Sequence, residues 1–513
     1  MQTLDLIIIF GYLIGITAFG ILFSGKQETT ADYFVGGRNV PWWAIAMSIV
    51  ATETSTITFV SVPGIAFAKG GNFQFLQLVF GYMLGRVVIS LIFIPMYFKG
   101  ELQTVYQLLG ERFGDRVKML ASALFVIMRN VADGVRLLLT AIVLAAVYRS
   151  FNPAADASTI IVGSIILLGI VMIVFTFYGG MEAVIWVEVV QLVIYIGGAI
   201  AAAVVLIQNI DGGFSSAMSL GEQFNKFSLF DFGFDLSKTY TFWGGLIGGC
   251  FLTMSTHGTD QYLVQRYLCT SKPSSAATAL LSSGAVVLAQ FIGFLFIGVL
   301  LFAFYAPHDA AEYAQAGVAN SGVPATFPFI KGDQVFPDFI TQHMPAGLSG
   351  LVVAAIFAAA LSSSLNSIAA TAINDLYKPF KPETSDKQLV RYAGILTVIV
   401  GIVQIVVAII FMQTGESALG LALATASLIN GPVLGVFLVG TFIKSAKQTD
   451  ALVGMTVSIT LMTYIMLATN KVIDGPNIAW PWYAFIGSLT TLIVAYISSF
   501  CRLIFGYISN RYF

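Results

Sequence analysis

The chain has 513 residues, 57% of them hydrophobic and only 10% charged, against about 25% charged in an ordinary soluble domain, and its mean hydropathy is +0.86. Such a composition marks an integral membrane protein and argues against a soluble enzyme. Lysine and arginine number 25 and aspartate and glutamate 26, so neither sign dominates and nucleic acid is not an expected partner.

About 20 apolar residues are needed to cross a bilayer. On that length the chain predicts thirteen membrane helices, over 4–24, 41–67, 75–98, 118–148, 158–177, 184–208, 240–265, 277–306, 346–374, 392–412, 417–443, 451–469 and 480–501. The first run has full spanning length and no basic leader, so it reads as a helix and not a signal peptide. No soluble domain is left over. Cys250, Cys269 and Cys501 fall in or beside apolar runs without metal-ligand spacing, which suits buried inert thiols.

Lysine and arginine also set an orientation. The loops after helices one, three, five, seven, nine and eleven, with the C-terminus, collect sixteen of them, and the opposite side collects six. The positive-inside rule then places the C-terminus in the cytoplasm and the N-terminus outside the cell or inner membrane. The long loops 209–239 and 307–345 are expected to face outward.

Three polar runs interrupt the apolar segments. The first is Ala51-Thr-Glu-Thr-Ser-Thr-Ile-Thr58 in helix two, and the second is Thr253-Met-Ser-Thr-His-Gly-Thr-Asp-Gln261 in helix seven. Hydroxyls and a carboxylate are costly in hydrocarbon, so at that depth they face a bundle interior and mark an ion or solute path. Helices two and seven lie five segments apart, enter from opposite sides and each begin near tryptophan (Trp42 and Trp43; Trp243). Paired interrupted helices are what an inverted-repeat transporter predicts, because half-helix ends offer dipoles and free carbonyls to ions and solute. The third run, Ala359-Ala-Leu-Ser-Ser-Ser-Leu-Asn-Ser367 in helix nine, follows small residues that let another backbone approach. Hydroxyls and unwound carbonyls suit a hard monovalent cation such as sodium, whereas a divalent ion would ask for more carboxylates.

Five segments in order resemble the sodium/solute symporters, whose members carry sugars, proline, pantothenate, sialic acid and monocarboxylates. They are Asp32-Tyr-Phe-Val-Gly-Gly-Arg38 before Pro41-Trp-Trp, Tyr106-Gln-Leu-Leu-Gly-Glu-Arg-Phe-Gly114, Tyr178-Gly-Gly-Met-Glu-Ala-Val-Ile-Trp186, His257-Gly-Thr-Asp-Gln261 with Val264-Gln-Arg-Tyr267, and Phe357-Ala-Ala-Ala-Leu-Ser-Ser with Asp375-Leu-Tyr377. The resemblance implies an all-α fold with a leucine-transporter-like core of two inverted five-helix repeats, over 41–208 and 209–443. An extra helix and loop would precede them over 1–40, and two extra helices would follow over 444–513. It also implies a principal sodium ion between helices two and nine, held by the carbonyls of Ala51, Thr54 and Ala359 and the hydroxyls of Ser362 and Ser363, with Ser364 the alternate. Relatives have about one more turn in helix nine, so the serine register is open. A second sodium is implied near Glu188, with Ser364 and with Ser55 or Thr58; the other reading of Glu188 is a carboxylate buried against Arg129 or Arg136, or one that is protonated.

For the solute, the repeat arrangement brings Glu53, Ser55, Thr58, Phe75, Gln77, Arg136, Thr253, Thr256, His257 and Thr425 toward one midplane cavity. Arg136 could clamp a carboxylate bidentately, and Asp133 or Glu53 could neutralise it instead. Sugar carriers show an acid–amide pair where this chain has Ile57 and Thr58, which disfavours a sugar bound in that way. His257 reads as a gate or as a structural histidine bonded to a carbonyl, Arg86 as structural, and Asp260 with Arg266 as an ion pair. The expected function is sodium-coupled symport of a small carboxylate or sugar-like solute into the cell by alternating access. A sodium-coupled sugar symporter proper, a channel and a membrane sensor are the rivals. No nucleophile, acid–base pair or metal cluster suggests an enzyme, and no phosphate loop suggests a nucleotide.

Overall fold

The computed structural model describes residues 1–23, 29–54, 56–152, 154–305, 325–361, 364–413 and 418–512. Among these residues the structure is helical, with no strand. Helix α1 spans Thr3–Phe23 and the short α2 spans Thr30–Val35. Thr29 and Asp32 cap α2 reciprocally, and Gly36, at φ 55°, ends it in the left-handed region, where glycine carries no Cβ penalty. The first broken span follows as α3 (Trp42–Glu53) and α4 (Thr56–Phe67), bent by 59°. At the break the Thr54 N–H still closes the last turn of α3 on the Val50 carbonyl at 2.8 Å, the Thr54 hydroxyl donates to the same carbonyl at 2.6 Å, and Thr54 itself leaves the helical conformation at φ −77° and ψ 67°.

Next come α5 (Leu76–Tyr97), α6 (Gln107–Phe113) and α7 (Asp115–Phe151). An apparent single helix, α8 (Ala157–Asn209), is 53 residues long, far more than the roughly 20 a bilayer needs. Gly180 divides it, at φ 57° and ψ −165°, a region essentially confined to glycine. The two spans on either side, Ala157–Phe177 and Gly180–Asn209, are the fifth and sixth segments expected from the sequence.

Helix α9 (Gly213–Gln223) lies between spans, and the second broken span is α10 (Gly249–Gly258) with α11 (Gln261–Leu268). Asp260 caps α11 by accepting from the Tyr262 N–H at 2.9 Å. A π-helical turn, Gly244–Gly248, opens this span against α5. A Cβ on Gly81 would lie 2.1 Å from the Gly245 carbonyl oxygen, and one on Gly245 would lie 2.5 Å from the Gln77 carbonyl carbon. Only glycines allow this backbone-on-backbone contact.

The chain continues as α12 (Pro273–Tyr305), α13 (Val335–Gln342), α14 (Leu348–Leu361), α15 (Leu365–Thr371), α16 (Asp386–Gln413), α17 (Ala418–Phe442), α18 (Gln448–Thr469) and α19 (Tyr483–Tyr512). Helix α12 packs on α3, α4 and α5, and α14 packs on α1 and α8. The buried Asp5 of α1 accepts from the N–H groups of Gly347 at 2.7 Å and Gly350 at 2.9 Å and from the Ser349 hydroxyl at 2.8 Å. Its carboxylate thereby caps the positive end of α14.

Among the described residues nine helices are long and apolar enough to cross a membrane, or ten with the bent pair α3–α4. Thirteen were expected. The segments over 240–265, 346–374 and 417–443 fall outside that set. The first is cut at Thr259; the other two correspond to α14 and α17, which count toward the set only over their described stretches Leu348–Phe357 and Leu428–Phe442.

Candidate functional site

A cavity of about 450 Å³ lies where the two broken spans face each other. Its polar lining comes from Thr52, Glu53, Thr58 and Ser61 at the first break, Thr253, Thr256, His257 and Tyr262 at the second, Tyr82 of α5, Arg129 and Arg136 of α7, and Tyr240. Val62, Ile65, Phe75, Leu252, Leu263, Val287, Phe291 and Trp480 complete it. Of the predicted solute residues, Glu53, Thr58, Phe75, Arg136, Thr253, Thr256 and His257 therefore share one space.

Gln77 does not line it. Its side chain is buried, accepting from the Asp231 N–H at 2.9 Å and donating to the Gln74 and Tyr240 carbonyls at 3.1 and 3.4 Å, so it anchors the segment after α9. Thr425 lies in α17, and its side chain is outside the described set. Ser55, Ser362 and Ser363 lie outside the described residues. Ala51 is buried in the last turn of α3, Ala359 falls within α14, and Thr54 lies between α3 and α4 with its hydroxyl 2.7 Å from Gln290 Nε2 of α12.

Charge in this interior is paired across helices. Glu53 receives Arg86 Nη2 at 2.5 and 2.6 Å and also contacts His257 Nε2, while His257 Nδ1 lies 3.0 Å from the Thr256 hydroxyl. Glu53 closes α3 and His257 stands in the last turn of α10, so one carboxylate–imidazole contact ties the two breaks together. His257 pairs with a carboxylate and not with a carbonyl, because the second break brings it opposite Glu53. Arg86 is fully buried and neutralises this site, as a structural role requires. The pair expected between Asp260 and Arg266 is replaced by two others. Arg266 Nη2 meets Glu188 Oε1 at 2.5 Å, and Asp260 takes Arg129 of α7. Fully buried charges demand the nearest opposite charge, and neighbouring helices supply it sooner than the same helix.

Glu188 also accepts from Thr52 Oγ1 at 3.1 Å and from the Ser48 hydroxyl. Ser364, its expected companion around a second sodium, instead donates to Asp133. Neither Arg129 nor Arg136 is the cation beside Glu188, as the alternative reading had it.

The profile of the sodium:solute symporter family matches residues 33–458 of the chain. This chain belongs to the sodium:solute symporter family. The symporter is 31% identical over 510 residues to the sodium/sialic acid symporter NanT of Aliivibrio fischeri, covering 97% of this chain and 93% of that one. It is 30% identical over 506 residues to the sodium/sialic acid symporter SiaT of Proteus mirabilis, covering 96% and 94%. A solved structure of a sodium-coupled sialic acid symporter, substrate-bound and outward-open, superposes with a TM-score of 0.81 at 30% identity over 97% of this chain and 98% of that one. A nucleobase–cation symporter superposes with a TM-score of 0.52 at 11% identity over 92% and 94%, a likeness of fold alone. The fold is the leucine-transporter-like one expected, and the symporter couples an organic solute to sodium across a bilayer.

Sequence reasoning missed several parts of the symporter's cavity, above all Tyr262, Arg129, Tyr82 and Trp480. The guanidinium carbons of Arg129, Arg266 and Arg136 lie 4.5, 4.7 and 5.9 Å from the centre of the Tyr262 ring, a cation–π platform. One signal was available: Arg129, Asp133 and Arg136 are spaced four and three apart, which puts them on one face of α7.

Proposed function

We propose that this sodium:solute symporter imports a small carboxylate-bearing solute, of which sialic acid, the solute named for its relatives, is the leading member. The observation that carries this reading is the pair of guanidiniums, Arg129 and Arg136, on the wall of the cavity between the breaks. A planar guanidinium matches a carboxylate bidentately, and a cavity of about 450 Å³ falls in the ordinary range of roughly 300–1,000 Å³ for small-molecule sites.

The principal sodium lies between the first break and helix nine, on the carbonyls of Ala51, Thr54 and Ala359 and the hydroxyls of Ser362 and Ser363. Hard oxygen donors at helix interruptions support that placement. Glu188 does not serve a second ion in this reading, since Arg266 already supplies its positive charge. The repeats run over 41–208 and 209–443, a division supported by breaks at corresponding places in each. The N-terminus lies outside and the C-terminus in the cytoplasm of the plasma or inner membrane, as the lysine and arginine bias supports.

Sodium binding favours the outward-open arrangement, solute closes the outer gate, and inward opening dismantles the ion site. The membrane potential supplies about 2.3 kcal/mol per charge per 100 mV, roughly fiftyfold accumulation. The test is a thermal-shift screen of sialic acid, other carboxylates, amino acids and neutral sugars in sodium and in potassium. Stabilisation by a carboxylate in sodium alone is expected; stabilisation by a neutral sugar alone, or equally in potassium, overturns the reading.

A further inference from the structure

We propose that Asp133 of α7 is a positioning residue through which the sodium site and the solute cavity sense each other. The inference rests on the sodium and carboxylate placements just proposed and adds the link between them. Asp133 is 5% exposed, and its two oxygens do different things. Oδ2 accepts the Ser364 hydroxyl. Oδ1 has no hydrogen-bond donor among the described residues and stands at ion-pair distance from both cavity arginines, 3.6 Å from Arg136 Nη1 and 4.0 Å from Arg129 Nη1.

Ser364 shows that its bond is specialised. It occupies the N-cap of α15, yet its side chain makes no capping bond, although an N-cap serine ordinarily accepts from the backbone of the first turn. Its hydroxyl is committed to α7 instead. Ser364 directly follows Ser362 and Ser363 in the chain, so Asp133 holds the residue next to the proposed sodium ligands.

Arg129 is engaged by Asp260, whereas Arg136 faces Asp133 and, at 3.5 Å, the Tyr262 hydroxyl. A solute carboxylate on Arg136 takes over part of the positive field that Asp133 otherwise receives. The charge left on Asp133 then acts on the Ser364 turn, where it favours a nearby cation. Reciprocally, sodium at that turn draws on Asp133 and leaves Arg136 more available to an anion. Linkage requires the two effects to be equal.

Purified full-length protein is titrated with sodium in the absence and presence of sialic acid, following intrinsic tryptophan fluorescence. In wild type the solute tightens sodium binding, by about 5–150-fold if coupling has the usual strength. Asp133→Asn keeps the shape and an acceptor for Ser364 but removes the charge; Ser364→Ala removes only the hydroxyl. Asp133→Asn is expected to bind each ligand alone while the tightening falls to about one-fold, and Ser364→Ala is expected to lose the tightening by the same measure relative to its own sodium affinity. A purely structural role would lower the melting temperature of the variants without changing the tightening. Full tightening in either folded variant overturns the role of Asp133 and leaves the transport reading standing. Absence of sodium-dependent sialic acid binding in wild type overturns the solute reading and this inference with it.

Discussion

Lys226 shows how one side chain can hold a helix end in place. It is fully buried in the segment after α9, and its Nζ donates to the carbonyls of Ala66, Phe67 and Ala68 at 2.9, 3.1 and 2.6 Å. These carbonyls end α4, the second half of the first broken span, where a cation meets the negative helix end. The ammonium also sits 4.2 Å from the centre of the Phe302 ring of α12. Burial pushes the Lys226 pKa down to about 7, against about 10.4 in an unfolded chain. Between those values the unfolded state binds more protons, so stability rises with pH across that window, and the cost of burying the charge is felt in full below it. Lys226→Met is expected to flatten this rise in melting temperature between pH 7 and pH 10 and to cost about 1–3 kcal/mol for the orphaned carbonyls. An unchanged pH slope in the variant would show that Lys226 is not the titrating group.

At the scale of elements, function depends on where helices stop. The first break falls where Thr54 leaves the helical conformation, at φ −77° and ψ 67°, and the second where Asp260 caps a new helix after Thr259. Each leaves backbone polar groups free, which an unbroken span would keep for itself. Gly180 is a break of another kind, separating two spans within α8 by a backbone conformation that side chains resist. Gly180→Ala is therefore expected to destabilise by about 1–3 kcal/mol, seen as a lower melting temperature in detergent. No loss would mean that the turn can relax into an ordinary conformation. The Tyr178-Gly-Gly motif was visible in the sequence, but its conformational reason was not.

For the whole molecule, charge is arranged on two scales. Between loops, the excess of lysine and arginine on one side sets orientation; a membrane-impermeant reagent should label a cysteine placed at Gly212 in intact cells and leave one placed at Lys381 unlabelled. The reverse pattern would invert the topology. Within the bundle, several acids and bases pair across helices with partners distant in sequence. Arg129 and Asp260 are 131 residues apart, and Arg266 and Glu188 are 78 apart. Removing one member of such a pair strands a buried charge, at about 3–5 kcal/mol. Arg129 and Asp260 thus tie α7 to the second broken span, and Arg266 and Glu188 tie that span to α8.

Much follows from local composition alone. Apolar runs give the membrane class, and hydroxyl clusters at 51–58 and 253–261 give the paired breaks. Glycine at 180 permits the turn between adjacent spans. These are readable because each depends on residues near one another in the chain and on the cost of polar groups in hydrocarbon. Tertiary structure alone decided that Glu188 takes Arg266, that His257 takes Glu53, that Ser364 takes Asp133 and that Gln77 turns away from the cavity. A buried charge or hydroxyl chooses its partner by which helices cross at its depth, and that crossing is settled by packing of the whole bundle.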